Sequence, residues 1–173
     1  MSSRLTASFF RRDVLEVAPD LLGKILVRSF DDGRTEKFMI TETEAYRGEE
    51  DLACHASRGR TARTATMYLP GGVLYIYLIY GMYWMMNIVT GPADHPQAVL
   101  IRGLEGSDGP GKLTRRLGID KSFNGEDLAT SPRIWLENSG ITPPYTTSPR
   151  IGVDYAGELW KSKPWRFVVS YEQ

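Results

Sequence analysis

The amino-acid sequence predicts an α+β protein with a largely antiparallel β-sheet and few helices. Three observations favour this class. Segments with strand composition follow one another along the chain, and most are separated only by brief turns. Strands and helices do not alternate regularly, so the sheet is not built from βαβ units. The length of 173 residues and the hydrophobic content of 42% suit one globular domain, which we expect to cover residues 1–173.

The boundaries of the elements follow from apolar alternation, from β-branched and aromatic residues, and from the Gly and Pro residues that end each segment. The predicted elements are helical turns over 12–22, which Pro19 interrupts; strands over 24–30 and 35–46; a loop with short helical pieces over 48–70; strands over 73–79, 83–90 and 98–104; a helix over 109–117; a strand over 133–137; a Pro-rich loop over 139–148; and strands over 150–154 and 165–170.

The segment over 71–90, GGVLYIYLIYGMYWMMNIVT, is the most apolar part of the chain. Over residues 73–89, 15 of 17 side chains are apolar or Tyr. A membrane helix is disfavoured because Gly81 interrupts the run and β-prone residues dominate it. We predict a β-hairpin with Tyr80 and Met82 at its tip. Large apolar side chains at a turn indicate either a tip packed into the core or a wedge that enters a protein groove or a base stack.

Two predicted strands carry charged side chains on otherwise apolar faces. Period-two alternation places Glu42 and Glu44 on one face of the second strand. We expect Glu42 to be solvated and Glu44 to lie in a pocket, where its pKa is open to adjustment. On the strand over 98–104, Arg102 lies between two Leu residues and needs a carboxylate partner, for which Glu44 is a candidate.

The chain carries 21 basic and 21 acidic residues, so its formal net charge is zero. Zero net charge argues mildly against a nucleic-acid partner, but clustered charges can still form a basic face. The basic clusters are Arg58-Arg60-Arg63, Lys112-Arg115-Arg116 and Lys161-Lys163-Arg166.

The single Cys54 excludes an internal disulfide, and no residue at metal-ligand spacing accompanies His55, so we expect no metal. The N-terminus lacks the apolar region of a signal peptide, so we expect a cytoplasmic protein, associated with the nucleoid in a prokaryote.

Six segments, taken together and in order, resemble the alkyladenine (3-methyladenine) DNA glycosylase family. They are TETEAY at 41–46, His55, LYIYLIYGMY at 74–83, Asn87, LIR at 100–102 and GPGKL at 109–113. Each segment alone is a weak signal, but their order and spacing agree from about residue 21 to about residue 167. The chain departs from the family pattern at Cys54, where a small residue is expected before His55.

The resemblance implies a monofunctional DNA glycosylase of base excision repair. Such an enzyme cleaves the N-glycosidic bond of alkylated or deaminated purines, of the 3-methyladenine, 7-methylguanine and hypoxanthine type. The implied fold is a compact single domain with a curved, mostly antiparallel sheet, short flanking helices and a β-hairpin that enters the DNA minor groove. The expected partner is double-stranded DNA containing a damaged purine, bound by a monomer with no cofactor and no membrane.

The resemblance also assigns roles to individual positions. Glu44 would bind and activate the attacking water, and Arg102 and the backbone carbonyl of Ile151 would help to hold it. The base pocket would consist of Tyr46, His55 and Tyr77, with Asn87 in its floor, where it crowds the 2-amino group of normal guanine. Tyr80 would fill the emptied base stack, with Met82 beside it.

The residues support this chemistry independently of the resemblance. A base inside a duplex is out of reach, so an enzyme that acts on it must flip it, and an apolar wedge can fill the hole. Aromatic walls favour a cationic purine through cation–π attraction. An ionised Glu44 can stabilise positive charge on the sugar and take a proton from water. No lysine belongs to the pocket set, so no Schiff base is expected.

Two other functions fit part of the pattern. Glu42 and Glu44 lie two residues apart on one strand face, roughly 7 Å, which is within the range of an inverting glycoside hydrolase. The exposed wedge and the basic clusters do not suit that function. A non-catalytic module that binds RNA, other nucleic acid or protein accounts for the aromatic and basic residues but leaves Glu44 and Arg102 without a role.

Overall fold

Nine strands form one sheet in the computed structural model, which describes residues 3–171. The strands are β1 (Ile25–Ser29), β2 (Thr35–Arg47), β3 (Leu74–Ile79), β4 (Tyr83–Val89), β5 (Gln97–Leu104), β6 (Ser107–Asp108), β7 (Ile134–Glu137), β8 (Tyr145–Ser148) and β9 (Arg166–Val169). Their order is β3-β4-β5-β2-β1-β7, with β6 paired to β5 and with β9 paired to both β2 and β8. The pairs between these strands are antiparallel, so the predicted α+β class is confirmed.

Short helices surround the sheet. The α-helices are α1 (Ala7–Phe10), α2 (Val14–Asp20), α3 (Pro110–Leu117) and α4 (Glu158–Lys161), and the 3-10 helices are His55–Arg58, Ala65–Tyr68, Lys121–Phe123 and Asp154–Ala156. The predicted interruption at Pro19 is wrong, because α2 continues through it. Pro19 lies in the last turn, so its missing N–H removes only one intrahelical hydrogen bond. The Asp13 cap at the opposite end and the burial of Val14, Val17 and Ala18 stabilise the helix.

Strand β2 connects the whole sheet. Its first half pairs with β1, and its second half pairs with β5 along one edge and with β9 along the other. The register with β5 is irregular on both sides of Glu42. Such irregularities bend a strand and redirect its side chains. As a result, Glu42 and Glu44 lie where β2, β5 and β9 meet.

Two helices, α2 and α3, pack against the sheet through specific contacts. The Thr43 hydroxyl of β2 donates to the Ala18 carbonyl of α2 at 2.9 Å. The Thr114 hydroxyl of α3 donates to the Trp84 carbonyl of β4 at 2.7 Å. A side chain at Gly111 would place its Cβ 2.9 Å from the ring of the β4 residue Tyr83. The glycine therefore lets α3 lie directly against the hairpin, which gives the GPGK segment a packing role.

The apolar segment forms the predicted hairpin of β3 and β4, paired from Leu74 opposite Ile88 to Ile79 opposite Tyr83. Its base is buried, but its tip projects into solvent, where Tyr80 is 86% exposed. The alternative of a tip packed into the core is therefore wrong. No helix within residues 3–171 has the length and apolar character needed to cross a membrane.

The C-terminal region differs from the prediction. The predicted loop over 139–148 ends in β8, which pairs with β9, and the predicted strand over 150–154 is absent. Gly152 has a φ of 74°, in the left-handed region, which interrupts an extended strand. The segment over 149–153 therefore has no regular hydrogen-bonded structure, and side-chain contacts determine its position.

Candidate active site

Glu44 lies in the second half of β2, and its side chain is fully buried, as its position on the strand predicts. Its Oε1 accepts a hydrogen bond from the Tyr46 hydroxyl at 2.9 Å, and its Oε2 accepts one from the backbone N–H of Ile151 at 2.7 Å. The Nη1 of Arg102 lies 3.8 Å from Oε1. The Glu44 carboxylate thus accepts hydrogen bonds from β2 and from the irregular segment after β8, and it lies at ion-pair distance from an arginine of β5.

Burial raises the pKa of Glu44 above its ordinary value of 4.5. The charge of Arg102, the hydrogen bonds from Ile151 and Tyr46, and the charge of Arg150 oppose this increase. Burial also holds the pKa of the Tyr46 hydroxyl well above 10, so Tyr46 remains a donor to the carboxylate. A carboxylate whose pKa is raised binds a proton more readily than an exposed one, which suits a general base.

Arg102 pairs more closely with Glu42 than with Glu44. Its Nε donates to Glu42 Oε2 at 3.1 Å, and Arg166 Nε donates to the same oxygen at 2.7 Å. The predicted solvated Glu42 is therefore wrong, since its side chain is only 19% exposed and arginines from β5 and β9 bind it. A carboxylate shared by two arginines is a poor candidate for the second acid of a glycoside hydrolase.

An aromatic cleft opens beside Tyr46. It encloses about 330 Å³ of space, part of which is open to solvent. Its walls are Tyr46, Ala53, His55, Met67, Tyr75, Tyr77, Asn87, Ala98 and Tyr155. The ring centroids of His55 and Tyr77 are 4.3 Å apart, and those of Tyr75 and Tyr77 are 5.5 Å apart. Such closely spaced rings offer stacking surfaces for a planar ligand.

The rings of the cleft are uncharged at neutral pH. Burial, with a contribution from the charge of Arg63, lowers the pKa of His55 to about 4. His55 Nδ1 lies 3.0 Å from the hydroxyl oxygen of Tyr75, and burial raises the pKa of that hydroxyl to about 12. The described residues contain no group of three or more His, Cys, Asp or Glu side chains that could hold a metal ion.

Asn87 lies on β4 directly opposite Tyr75 of β3. Its Nδ2 donates to the Tyr75 carbonyl at 3.2 Å, and its side chain also forms part of the cleft wall. The bond to a backbone carbonyl is the ordinary structural role of a buried Asn. The wall position allows the same side chain to contact a ligand, so the two roles are compatible.

The hairpin tip holds an aromatic residue in an uncommon backbone conformation. The turn is closed by the Met82 N–H, which donates to the Ile79 carbonyl at 3.0 Å. Tyr80 has a φ of 51°, in the left-handed region that bulky residues rarely adopt. This conformation costs roughly 1–3 kcal/mol. An exposed ring retained at that position indicates a function outside the core.

The basic clusters are only partly free. Ion pairs neutralise one member or more of each cluster, namely Arg60 with Asp94, Arg116 with Glu36, Lys161 with Glu158, and Arg166 with Glu42. Within residues 3–171, five members of the clusters form no ion pair, namely Arg58, Arg63, Lys112, Arg115 and Lys163. Arg63 lies over the Tyr77 ring and Lys163 over the Trp160 and Trp165 rings, so the other three are the members that have neither kind of contact within the described part of the chain.

Several site residues were not singled out from the sequence. Tyr75 shares a strand face with Tyr77, so period-two alternation could have identified it. Tyr155 and Arg150 belong to segments that carry no such signal. For Ile151, the structure shows an N–H donated to Glu44, whereas the resemblance assigns a role to its carbonyl, which remains a prediction.

Comparison with known proteins identifies related sequences over almost the whole chain. The model of the methylpurine-DNA glycosylase family matches residues 8–108 and 105–173. Relatives include proteins of Psychrobacter cryohalolentis (41% identity; 95% of this chain and 90% of the relative), Methanocella arvoryzae (44%; 94% and 90%) and Sodalis glossinidius (45%; 94% and 95%). Each is provisionally named a 3-methyladenine DNA glycosylase.

The family model and these relatives place the chain in the DNA glycosylase class of hydrolases. The chain belongs to the methylpurine-DNA glycosylase family, because the family model and near-full-length relatives above 40% identity cover almost all of it. The predicted family is therefore confirmed. Damaged DNA is the substrate that this membership implies, and DNA repair is the process.

Proposed function

We propose that this chain is a monofunctional glycosylase that flips alkylated or deaminated purines out of duplex DNA and hydrolyses the N-glycosidic bond with a water activated by Glu44. One observation carries the proposal: the buried Glu44 carboxylate is hydrogen-bonded at 2.9 Å to Tyr46, which is a wall of the aromatic cleft. Tyr46 therefore contacts the general base and also lines the binding site for a planar ring.

The hairpin tip supplies the group that replaces the flipped base. A base in the stack cannot reach a fully buried carboxylate, so the nucleotide must rotate out of the duplex. Tyr80 and Met82 are 86% and 61% exposed at the end of a rigid two-stranded support. We infer that the Tyr80 ring enters the vacated position through the minor groove, with Met82 against the neighbouring bases.

The cleft favours a purine that carries positive charge. Purines methylated at N3 or N7 are cationic, and the electron-rich faces of Tyr46 and Tyr77 attract cations. His55 does not repel such a base, because the lowered pKa of its imidazole keeps it neutral at pH 7. A neutral deaminated purine such as hypoxanthine would use the same stacking faces without the cation–π attraction.

Hydrolysis requires one proton acceptor and no separate acid when the base is cationic. The bond between C1′ and the purine nitrogen breaks, and its electron pair leaves with the base, which departs neutral. The ionised Glu44 stabilises the positive charge that develops on the sugar. Water forms the new C1′–O bond and transfers a proton to Glu44, while Arg102 and the Ile151 carbonyl hold that water.

The direct test is base release from methylated duplex DNA. We expect free methylpurines to be released from the duplex, detected by chromatography, with an unmethylated duplex as the control. The strand should remain intact at the abasic site, because no lysine is among the described residues that line the cleft. Tight binding to the methylated duplex without base release would instead favour the non-catalytic nucleic-acid-binding module.

Asn87→Ser should relax the rejection of normal guanine. Guanine differs from hypoxanthine only by the exocyclic 2-amino group, and an apolar slot rejects one added polar group poorly. We therefore infer that the Asn87 amide, held by its bond to the Tyr75 carbonyl, occupies the space that this amino group needs. Release of guanine from undamaged or mismatched duplex should increase, while release of 7-methylated purines should change little.

Stability measurements separate this selective role from a purely structural one. Asn87→Asp, which keeps the size of the side chain and cannot donate to the Tyr75 carbonyl, is the matched control. Loss of both activities in Asn87→Ser, together with a lower Tm, would show that Asn87 only supports the hairpin.

A further inference from the structure

Arg150 and Asp51 form a fully buried ion pair next to the site but outside the residues assigned to it. Both side chains are 0% exposed. Arg150 Nη1 donates to Asp51 Oδ2 at 2.7 Å, and Nη2 donates to Asp51 Oδ1 at 3.0 Å. Asp51 also accepts hydrogen bonds from the backbone N–H groups of Arg47 and Ala53, both at 3.0 Å. The pair thus joins the segment after β2 to the segment after β8.

The same guanidinium contacts the surroundings of Glu44 in two ways. Its central carbon lies 4.9 Å from the centroid of the Tyr46 ring, whose hydroxyl donates to Glu44. Its Nη1 donates to the Ala45 carbonyl at 3.0 Å, on the residue between Glu44 and Tyr46. Arg150 also directly precedes Ile151, whose N–H is the second donor to Glu44.

Regular backbone structure does not orient the Ile151 N–H. The segment over 149–153 has no regular structure, and the side chain of Ile151 is 48% exposed, so packing holds it weakly. By contrast, Arg150 is held through the bidentate bond to Asp51 and through the Trp160 carbonyl, which accepts from Nη2 at 3.1 Å. The buried Arg150 side chain therefore fixes the position of Ile151, the exposed residue that follows it.

Stability alone does not account for this pair. Removing two charges from water is costly, and replacement of a buried ion pair by neutral groups is often neutral or stabilising. Arg150 Nε is also buried without a hydrogen-bond partner among the described residues, which adds a desolvation cost. A feature that is costly for folding yet adjacent to the general base indicates a role in the reaction.

We propose that the Arg150–Asp51 pair positions both hydrogen-bond donors to Glu44, the Tyr46 hydroxyl and the Ile151 N–H, and so holds the carboxylate in the geometry that accepts the water proton. Arg150 is thus a positioning residue. This inference rests on the proposed role of Glu44. The charged and titratable groups that act on or near this carboxylate are Arg102, Arg150, Tyr46, Tyr77, Tyr155 and Asp51.

The test removes both charges together and measures two properties of Glu44. In the double variant Arg150→Met/Asp51→Asn, the Asn side chain can still accept a backbone hydrogen bond, so no unpaired buried charge remains. Single-turnover base release at neutral pH should fall by about 10- to 100-fold, the loss expected for one hydrogen bond to a charged group. Binding of the methylated duplex should stay within about threefold of the parent protein.

The second readout is independent of catalysis. Of the two charges removed, that of Arg150 acts on Glu44 and lowers its pKa, so the double variant should have a higher Glu44 pKa than the parent protein. A ¹³C-carboxyl NMR titration, assigned with Glu44→Gln, should show this upward shift. The midpoint pH of base release should also rise. Arg150→Lys keeps the charge but not the bidentate geometry, so its rate should fall while the pKa of Glu44 stays close to that of the parent.

Arg28→Lys is the matched control, because Arg28 is also buried and donates to backbone carbonyls, but on β1. It should leave the rate and the Glu44 titration unchanged. The inference would be overturned if the double variant had the same rate of base release and the same Glu44 pKa as the parent protein. It would also be overturned if base release fell at every pH in proportion to the loss of folded protein. If the parent protein released no base, the proposed function would fail, and the NMR titrations of the two Arg150 variants would still decide whether the pair controls Glu44.

Discussion

Glu44→Gln should retain the fold and the binding of lesion DNA while base release falls by orders of magnitude. Glutamine preserves the shape of the side chain, and its one amide oxygen can still accept from the Ile151 N–H while its NH2 group donates to the Tyr46 hydroxyl oxygen. It can neither take a proton from water nor stabilise a cationic sugar, and these are the two contributions assigned to Glu44. Single-turnover release from a methylated duplex is the measurement, and Glu105→Gln, at an exposed position after β5, is the control.

The pH dependence of the parent protein provides an independent check. Because burial raises the pKa of Glu44, base release should increase with pH through a midpoint above 4.5, as the carboxylate becomes ionised. The raised pKa also means that the folded state prefers protonated Glu44, a contribution to stability that is lost as pH rises through the folded-state pKa. Glu44→Gln should therefore raise Tm at neutral pH, and the gain should vanish in acid. Near-normal base release by the variant would refute the assignment of Glu44 as the base.

Tyr80→Ala should weaken the flipped state of the lesion without destabilising the protein. Removal of the ring should cost about 1–3 kcal/mol of stacking, or roughly 5- to 150-fold in the population of flipped nucleotide. The ring is 86% exposed, so Tm should change little. A fluorescent base beside the lesion should report flipping, and its signal change on binding should be smaller for the variant.

Tyr80→Phe is the matched control, because it keeps the ring and the positive φ of 51° while it removes only the hydroxyl. It should flip the lesion as well as the parent protein does. If Tyr80→Ala left both binding and the fluorescence change unaltered, the hairpin tip would have no role in flipping, and its exposed ring would need another explanation.

Local patterns predicted most of the strands correctly, because side-chain alternation and turn residues act over a few neighbours. The hairpin of β3 and β4 has the predicted tip, and β2 ends within one residue of its prediction. The strand over 165–170 was also predicted correctly, as β9, whereas the predictions for residues 145–154 were wrong. Residues 145–148 form a strand only because β9 offers them a pairing edge, and residues 150–154 cannot, because Gly152 adopts a left-handed conformation.

The sequence by itself determined the fold class, the family and the residue types that the chemistry requires. Glu44 on an apolar strand face, aromatic residues on the hairpin and Tyr80 at its tip all follow from neighbours along the chain, whereas the exposure of Tyr80 was decided by the tertiary structure. Only the tertiary structure decided which groups meet. Ile151 donates to Glu44 across 107 positions of sequence, Arg150 binds Asp51 across 99, and Arg102 prefers Glu42. Hydrogen bonds and ion pairs act over a few ångströms in space, whereas periodicity describes only neighbours in the chain, so these partners became identifiable only once the strands were paired.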